Sequence, residues 1–308
     1  MGFIKNSGKH KLYNDLRSQW VLYLFMVPAI AATLVFSYRP MYGVIMAFQK
    51  YDIIKGIMGS EFIGLRNFVS FFSDNRFYAA LYNTIALGCL GLLCFPIPVI
   101  FAVLINEYKF RKIKRVVQSV TYLPHFISWV IISGLLYRLL DQDSGAINVF
   151  LNAIGVEAIP FFREPAYFWW IYILAGIWKD TGWNSILYLS AMTAINPETY
   201  EAAIVDGANR MQRIWNITIP GIMPTLVMLL ILRISAFFNG NFEALFAMRN
   251  PMVSIRSDNV EIFTYFRGVI GGEYGYATAI GFSQSVMAIA LLFIANKGLK
   301  KITGYSLF

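Results

Sequence analysis

Six stretches of this chain are long and apolar enough to end in a hydrocarbon core. They lie near 20–38, 81–105, 118–140, 168–195, 217–237 and 277–296. A helix needs ~20 mostly apolar residues to cross ~30 Å of hydrocarbon. In lipid, each backbone N–H and C=O must be satisfied within such a helix. Composition agrees: 57% of residues are hydrophobic and 14% charged, whereas soluble chains carry about 25% charge. The pattern predicts an all-α, polytopic membrane protein with six transmembrane helices. Residues 1–19 form a segment before the first span, and 20–308 form one membrane domain with its core over 77–296. The basic start "MGFIKNSGKHKLYNDLRSQW" leads into a run longer than the ~7–15-residue core of a signal peptide. It predicts an uncleaved first span, with 9–18 as a short amphipathic helix on the membrane surface. Pro96 and Pro98 predict a kink in the second span. "WKDTGW" (178–183) interrupts the fourth, with a bend expected at Gly182. Cys89 and Cys94, five residues apart on one helix, face different sides, so no disulfide is expected between them.

The net charge of +9 suggests nucleic acid until its distribution is mapped. With the N-terminus placed in the cytoplasm, the inner segments hold fourteen basic residues in four groups: 5–17, 109–115, Arg210 with Arg213, and 297–301. They hold five acids: Asp15, Glu107, Glu198, Glu201 and Asp206. The outer loops hold ten basic and eleven acidic residues. The basic excess therefore lies on one side, as the positive-inside rule requires. Both termini are expected in the cytoplasm, together with the connections after the second and fourth spans. The excess sets topology and meets anionic lipid; no nucleic-acid partner is needed.

The connection after the fourth span, "INPETYEAAIVDGANRMQRIWNITIP", is unusually well made. Asn196 suits an N-cap, Pro197 the first helical position, and Glu198 the positive end of the helix dipole. Tyr200, Ile204, Gly207 with Ala208, Met211 and Trp215 recur at helical spacing, giving an amphipathic helix over 197–213. Ala202 and Ala203 are small enough to let another surface come close, and Pro220 ends the segment or opens the next span. Periodicity alone leaves two occupants for such a helix: the bilayer surface, or a groove on a cytoplasmic protein.

The spacing resembles the cytoplasmic signature of ABC importer permeases. Glu201-Ala202-Ala203 is followed after three residues by Gly207, and after nine more by Ile217, Thr218, Ile219 and Pro220. Only Ile219, in place of Leu, departs from the signature. With "TYLPHFISW" (121–129) and "WKDTGWNSILYLSAM" (178–192), the chain is similar to carbohydrate permeases of the maltose-importer class. It is most similar to the branch serving plant-cell-wall oligosaccharides, including uronate-containing ones. The resemblance implies a bacterial cytoplasmic-membrane protein whose 197–213 helix docks on an ATPase, through Glu201, Ala202, Ala203, Asp206, Gly207, Ile217 and Pro220. It implies a second permease subunit, giving a heterodimer, and two cytoplasmic ABC ATPases that hold the ATP and magnesium. It also implies an external solute-binding protein, docking where 39–80 and 238–276 form the largest outer loops.

Charges inside spans are costly, at least ~2.5 kcal/mol near the centre. Lys179 and Asp180 have two readings: a pair facing protein, or part of the substrate path. In the second, Trp178 and Trp183 stack on sugar rings and Lys179 attracts a uronate carboxylate. Arg233, and Asn239, Asn241 and Glu243 in "FFNGNFEALF", are further pathway candidates. His125 reads as a satisfied core histidine. The chain has no Gly-x4-Gly-Lys-Ser/Thr loop for a nucleotide; His10 and His125 are too far apart for metal-ligand spacing, and no nucleophile–His–acid set is evident. No enzyme activity or cofactor of its own is expected. An ion-coupled secondary carrier would show inverted repeats and broken helices in both halves, and no repeat is visible. A non-transporting assembly protein is the remaining alternative.

Overall fold

The computed structural model describes residues 18–307. The 1–17 segment, including the surface helix expected there and its basic residues, lies outside the described residues. The described residues are mostly helical. α1 (Trp20–Thr33) continues through tighter and wider turns to Phe48. α2 (Asn75–Leu93) and α3 (Pro96–Glu107) form the second span. α4 (Arg111–Tyr122) and α5 (Trp129–Leu139) follow. α6 (Pro165–Thr193) is the longest helix of the middle region. α7 (Pro197–Val205) leads into α8 (Ile219–Ser235), and α9 (Tyr274–Thr303) closes the bundle.

By length and apolarity, four helical runs can cross a membrane: Trp20–Phe48, Asn75–Glu107, Arg210–Ser235 and Tyr274–Thr303. Taken as one span, the pair Arg111–Phe126 and Trp129–Leu139 is a fifth. α6 has 29 residues, about 43 Å at 1.5 Å per residue. It falls below that apolarity, with Lys179 and Asp180 near its centre among many Trp, Tyr and polar residues.

Two breaks refine the expected pattern. The second span is interrupted at Cys94–Phe95, immediately before Pro96, which occupies the first position of α3. The third is not straight: α4 and α5 meet at 99°. A single tight turn, Leu123–Phe126, precedes the corner, and Ser128 caps α5 by accepting a hydrogen bond from the Ile131 N–H at 3.4 Å. Pro124 has no N–H to continue α4. The bend expected at Gly182 is absent, since α6 runs unbroken through it. Gly182 is instead a point of contact: a Cβ there would lie 2.2 Å from the Thr121 carbonyl oxygen. The glycine lets α4 touch the backbone of α6.

The loops at one end of the bundle are tightly pinned. Asn148 is fully buried and donates to the Asp141 and Ile159 carbonyls at 3.0 Å each. Asn83 on α2 donates to the Ile255 and Asp258 carbonyls, at 3.0 and 2.9 Å. Arg256 lies over the rings of Tyr82 and Trp169. At the other end, Arg210 Nε donates to Glu107 Oε2 at 2.7 Å. That ion pair joins the connections after the second and fourth spans, so the two basic connections share one end of the bundle. Across the window that marks it as a span, the α1 run has no buried residue.

Candidate functional site

Two places in the molecule are built beyond what folding requires: the 196–220 connection and a cleft between the helices.

The connection is two helices, where sequence periodicity suggested one over 197–213. Asn196 starts α7 by accepting from the Glu198 N–H at 3.1 Å. α7 ends in a glycine cap: the Gly207 N–H donates to the Ile204 carbonyl at 3.1 Å, and the Ala208 N–H to the Ala203 carbonyl at 2.8 Å. This pairing needs a left-handed residue after the helix, and Gly207 has φ +77. The chain then restarts at once. Asn209 and Gln212 cap each other's backbone, and helix runs from Arg210 into α8 through a wide turn over Ile214–Thr218. Pro220, on the first turn of α8, has no N–H to donate back to Asn216, which favours the widened turn. Tyr200 and Thr218 share a hydrogen bond of 2.9 Å, and Thr218 is fully buried. That bond ties α7 to the root of α8.

What α7 shows to the outside is mixed. Glu201, Ala202, Asp206 and Gly207 are exposed. Val205 is 86% exposed and Ile204 55%. Met211 and Trp215 are also exposed. Ala203 and Ile217 are half-buried, and Pro220 is exposed. An apolar tip ringed by carboxylates at the basic end suits a protein surface better than water.

The cleft has a volume of about 690 Å³ and is bounded by α2, α6, α8 and the segment after α8. On α6 its wall is a ladder at i, i+4 spacing: Tyr172, Gly176, Asp180, Asn184 and Tyr188. Those positions stack on one helical face. On the opposite wall, Gly88 and Gly91 of α2 receive Phe237 and Arg233: a Cβ at Gly88 would meet Phe237 at 2.8 Å, and one at Gly91 would meet Arg233 Nη2 at 2.6 Å. Asn239 and Asn241 complete the rim. Asn241 also caps the next helix, accepting from the Ala244 N–H at 3.0 Å.

Of the pathway candidates, the cleft brings together Asp180, Arg233, Asn239 and Asn241. Glu243 is exposed in the first turn of the helix after Asn241, outside the lining. Trp178 is 54% exposed, two positions past Gly176 and hence on the far side of α6 from the ladder. Trp183 stacks on His125 at 4.4 Å with the planes 3° apart. His125 Nδ1 donates to Asp180 Oδ1 at 2.9 Å. His125 is thus a satisfied histidine, and its partner is the cleft's acid, so it joins the corner of the third span to the cleft.

Lys179 lies on a different stripe of α6, with Ile171, Ala175 and Gly182, all buried. Its Nζ donates to the carbonyls of Pro124 at 3.3 Å and His125 at 2.7 Å, and to that of Ile127. It also sits 5.6 Å over the Trp129 ring. These carbonyls lie in the turn where α4 stops, and of them only that of Pro124 also accepts a backbone N–H, from Ile127 at 3.1 Å, so the ammonium closes the corner. All three of its donors are engaged, and it does not line the cleft. Tyr172 and Asn184 were missed in the sequence, although the i, i+4 recurrence of small and polar residues on α6 signals them.

Comparison with known proteins agrees with this architecture. A family described as binding-protein-dependent transport system inner membrane component matches residues 95–297. Protein LplB of Bacillus subtilis (strain 168) is 40% identical over 95% of this chain and 92% of its own length. The polygalacturonan/rhamnogalacturonan transport system permease protein YteP of the same organism is 38% identical over 96% and 93%. A crystal structure of a bacterial alginate ABC transporter, in complex with alginate pentasaccharide-bound periplasmic protein, contains a similar chain. It has a TM-score of 0.88 and 37% identity, and the match covers 96% of this chain and all of that one. The chain therefore belongs to the binding-protein-dependent transport system inner membrane component family, with the fold of an ABC importer permease.

Proposed function

We propose that this chain is the membrane-crossing permease subunit of an ATP-driven oligosaccharide importer, carrying uronate-containing chains by alternating access. One observation carries the reading. The exposed α7 helix, at the basic end, is fastened through Tyr200 and Thr218 to the root of the helix whose far end lines the cleft. A push on α7 is thereby delivered to a cleft wall. The coupling residues are Glu201, Ala202, Ala203, Asp206 and Gly207 on the tip, with Ile217 and Pro220 at the joint.

The rest of the assembly follows from that role. Six crossings put both termini in the cytoplasm of a bacterial cell. Two ATPase subunits hold ATP and magnesium and meet α7. A second permease of like fold closes the cleft, and a loaded binding protein docks on the pinned outer loops. Substrate sources fit the relatives: one is named for polygalacturonan and rhamnogalacturonan, and another is an alginate importer. An ion-coupled carrier would use the carbonyls of a broken helix to hold its cation. Here the ammonium of Lys179 fills that place.

The test is ATP hydrolysis and uptake by the purified complex in proteoliposomes, with and without loaded binding protein. Oligogalacturonate uptake that requires ATP inside and binding protein outside supports the reading. Uptake driven by an ion gradient without ATP would replace it with the carrier.

A further inference from the structure

One charged group in the cleft is left without work by the fold. Arg233 sits in the last turn of α8, in the apolar run Arg210–Ser235, and lines the cleft. Among the described residues its guanidinium makes no ion pair and no hydrogen bond. The arginines of the outer loops beside it are occupied. Arg249 pairs with Asp258 at 2.7 Å, Arg267 with Glu273 at 3.0 Å, and Arg256 covers Trp169. The cleft's own acid, Asp180, is bonded to His125. A charge set into a span without a counter-ion costs free energy that folding does not recover.

The surroundings favour holding that charge where it is. Gly91 leaves a notch for its terminal nitrogen, which would be 2.6 Å from any Cβ at that position. Phe237, one turn further, packs against Gly88 and walls the same seam. On the α6 wall stand the hydroxyl-bearing ring of Tyr172 and the amide of Asn184, and on the rim the amide of Asn239. Among the described residues neither side-chain amide has a hydrogen bond. The set is one fork-shaped cation, two amides and a ring, in a cavity large enough for a short saccharide. A carboxylate takes the fork in a bidentate pair, while ring hydroxyls take the amides.

We infer that Arg233 is the carboxylate-reading residue of the translocation path and selects acidic over neutral oligosaccharides inside the membrane. This rests on the importer reading above. Arg233 grips a uronate carboxylate during passage, with Asn184 and Asn239 serving the hydroxyls. It is a second point of selection, separate from any binding protein outside.

The experiment uses the full complex in proteoliposomes, with oligogalacturonate and its methyl ester as probes at saturating binding protein. Arg233→Gln should lower uptake of the acid about ten- to hundredfold, the scale of a lost hydrogen bond to a charge, and change uptake of the ester less than twofold. Arg233→Lys should recover part of the loss, since it keeps the charge without the fork. Gly91→Ala, which crowds the guanidinium, should give an intermediate loss confined to the acid. An unchanged acid-to-ester ratio in Arg233→Gln overturns the inference while leaving the importer standing. So does a wild-type complex that carries the ester as well as the acid. A wild-type complex that carries neither overturns the importer reading itself.

Discussion

Lys179 and Arg233 are both cations set into helices of the membrane bundle, and the fold treats them in opposite ways. Lys179 is buried, and its three donors close the corner where the third span breaks. Arg233 reaches the cleft and, among the described residues, makes no ion pair or hydrogen bond. The first charge is used to build the structure, whereas the second is kept available. Hydropathy flags both identically, and only the neighbours distinguish them. The lesson extends to the two special glycines. Gly182 is small because Thr121 presses on it, while Gly207 is present because its backbone is left-handed.

The comparison breaks first at Lys179. Lys179→Met should leave the His125 and Ile127 carbonyls at the α4–α5 corner without a donor, while the Pro124 carbonyl keeps the Ile127 N–H. An unsatisfied buried acceptor costs about 1–3 kcal/mol, so we expect a large fall in the melting temperature of the detergent-purified complex and poor recovery. Normal melting, with selective loss of uronate uptake, would instead move Lys179 into the substrate path. Gly182→Val attacks the same joint from the other side. The Thr121 carbonyl stands 2.2 Å from where its Cβ would be. Overpacking of this kind costs about 1–3 kcal/mol, again read as melting, and a tolerated valine would mean that α4 is free to move off α6.

Gly207→Ala is smaller and local. A left-handed alanine costs about 1–2 kcal/mol, paid out at the end of α7 rather than in the core. The complex should assemble and melt nearly as the wild type, but hydrolyse ATP with weakened coupling to uptake. Equal loss of melting and coupling would make the cap a general support. Arg233→Gln closes the series with the smallest effect on stability. It removes no ion pair or hydrogen bond made among the described residues, so melting should be unchanged within experimental scatter, and a clear fall would show a further structural partner.

Much of this was legible in the sequence. Apolar runs locate the helices to within a few residues at most boundaries, and Asn196 and Pro220 mark the start of α7 and the root of α8. The break in the middle of the bundle was placed in the wrong helix. A glycine inside "WKDTGW" suggests a hinge, because glycine weakens helices, but the same residue serves close packing, and nothing local tells which. The true corner lies at Ile127–Ser128, marked by Pro124 in a run whose hydropathy passes straight through. Lys179 and Asp180 read together in the sequence, as a pair facing protein or as one stretch of the substrate path, yet adjacent residues on a helix point about 100° apart. One faces α4 and the other the cleft. Continuity of helix was also overread over 197–213, because apolar spacing survives a tight left-handed turn that keeps the phase.

The central claim is that α7 is the surface through which an ATPase drives the bundle. Val205, at its tip, is 86% exposed, and Ile54, in the outer loops, is 92% exposed. Val205→Cys and Ile54→Cys can each carry a short cysteine-to-lysine cross-linker in the purified complex. The account predicts a cross-link from position 205 to the ATPase subunit, with a yield that changes on adding ATP, and none from position 54. An ATPase that co-purifies yet never cross-links at 205, or links equally at both positions, would contradict it.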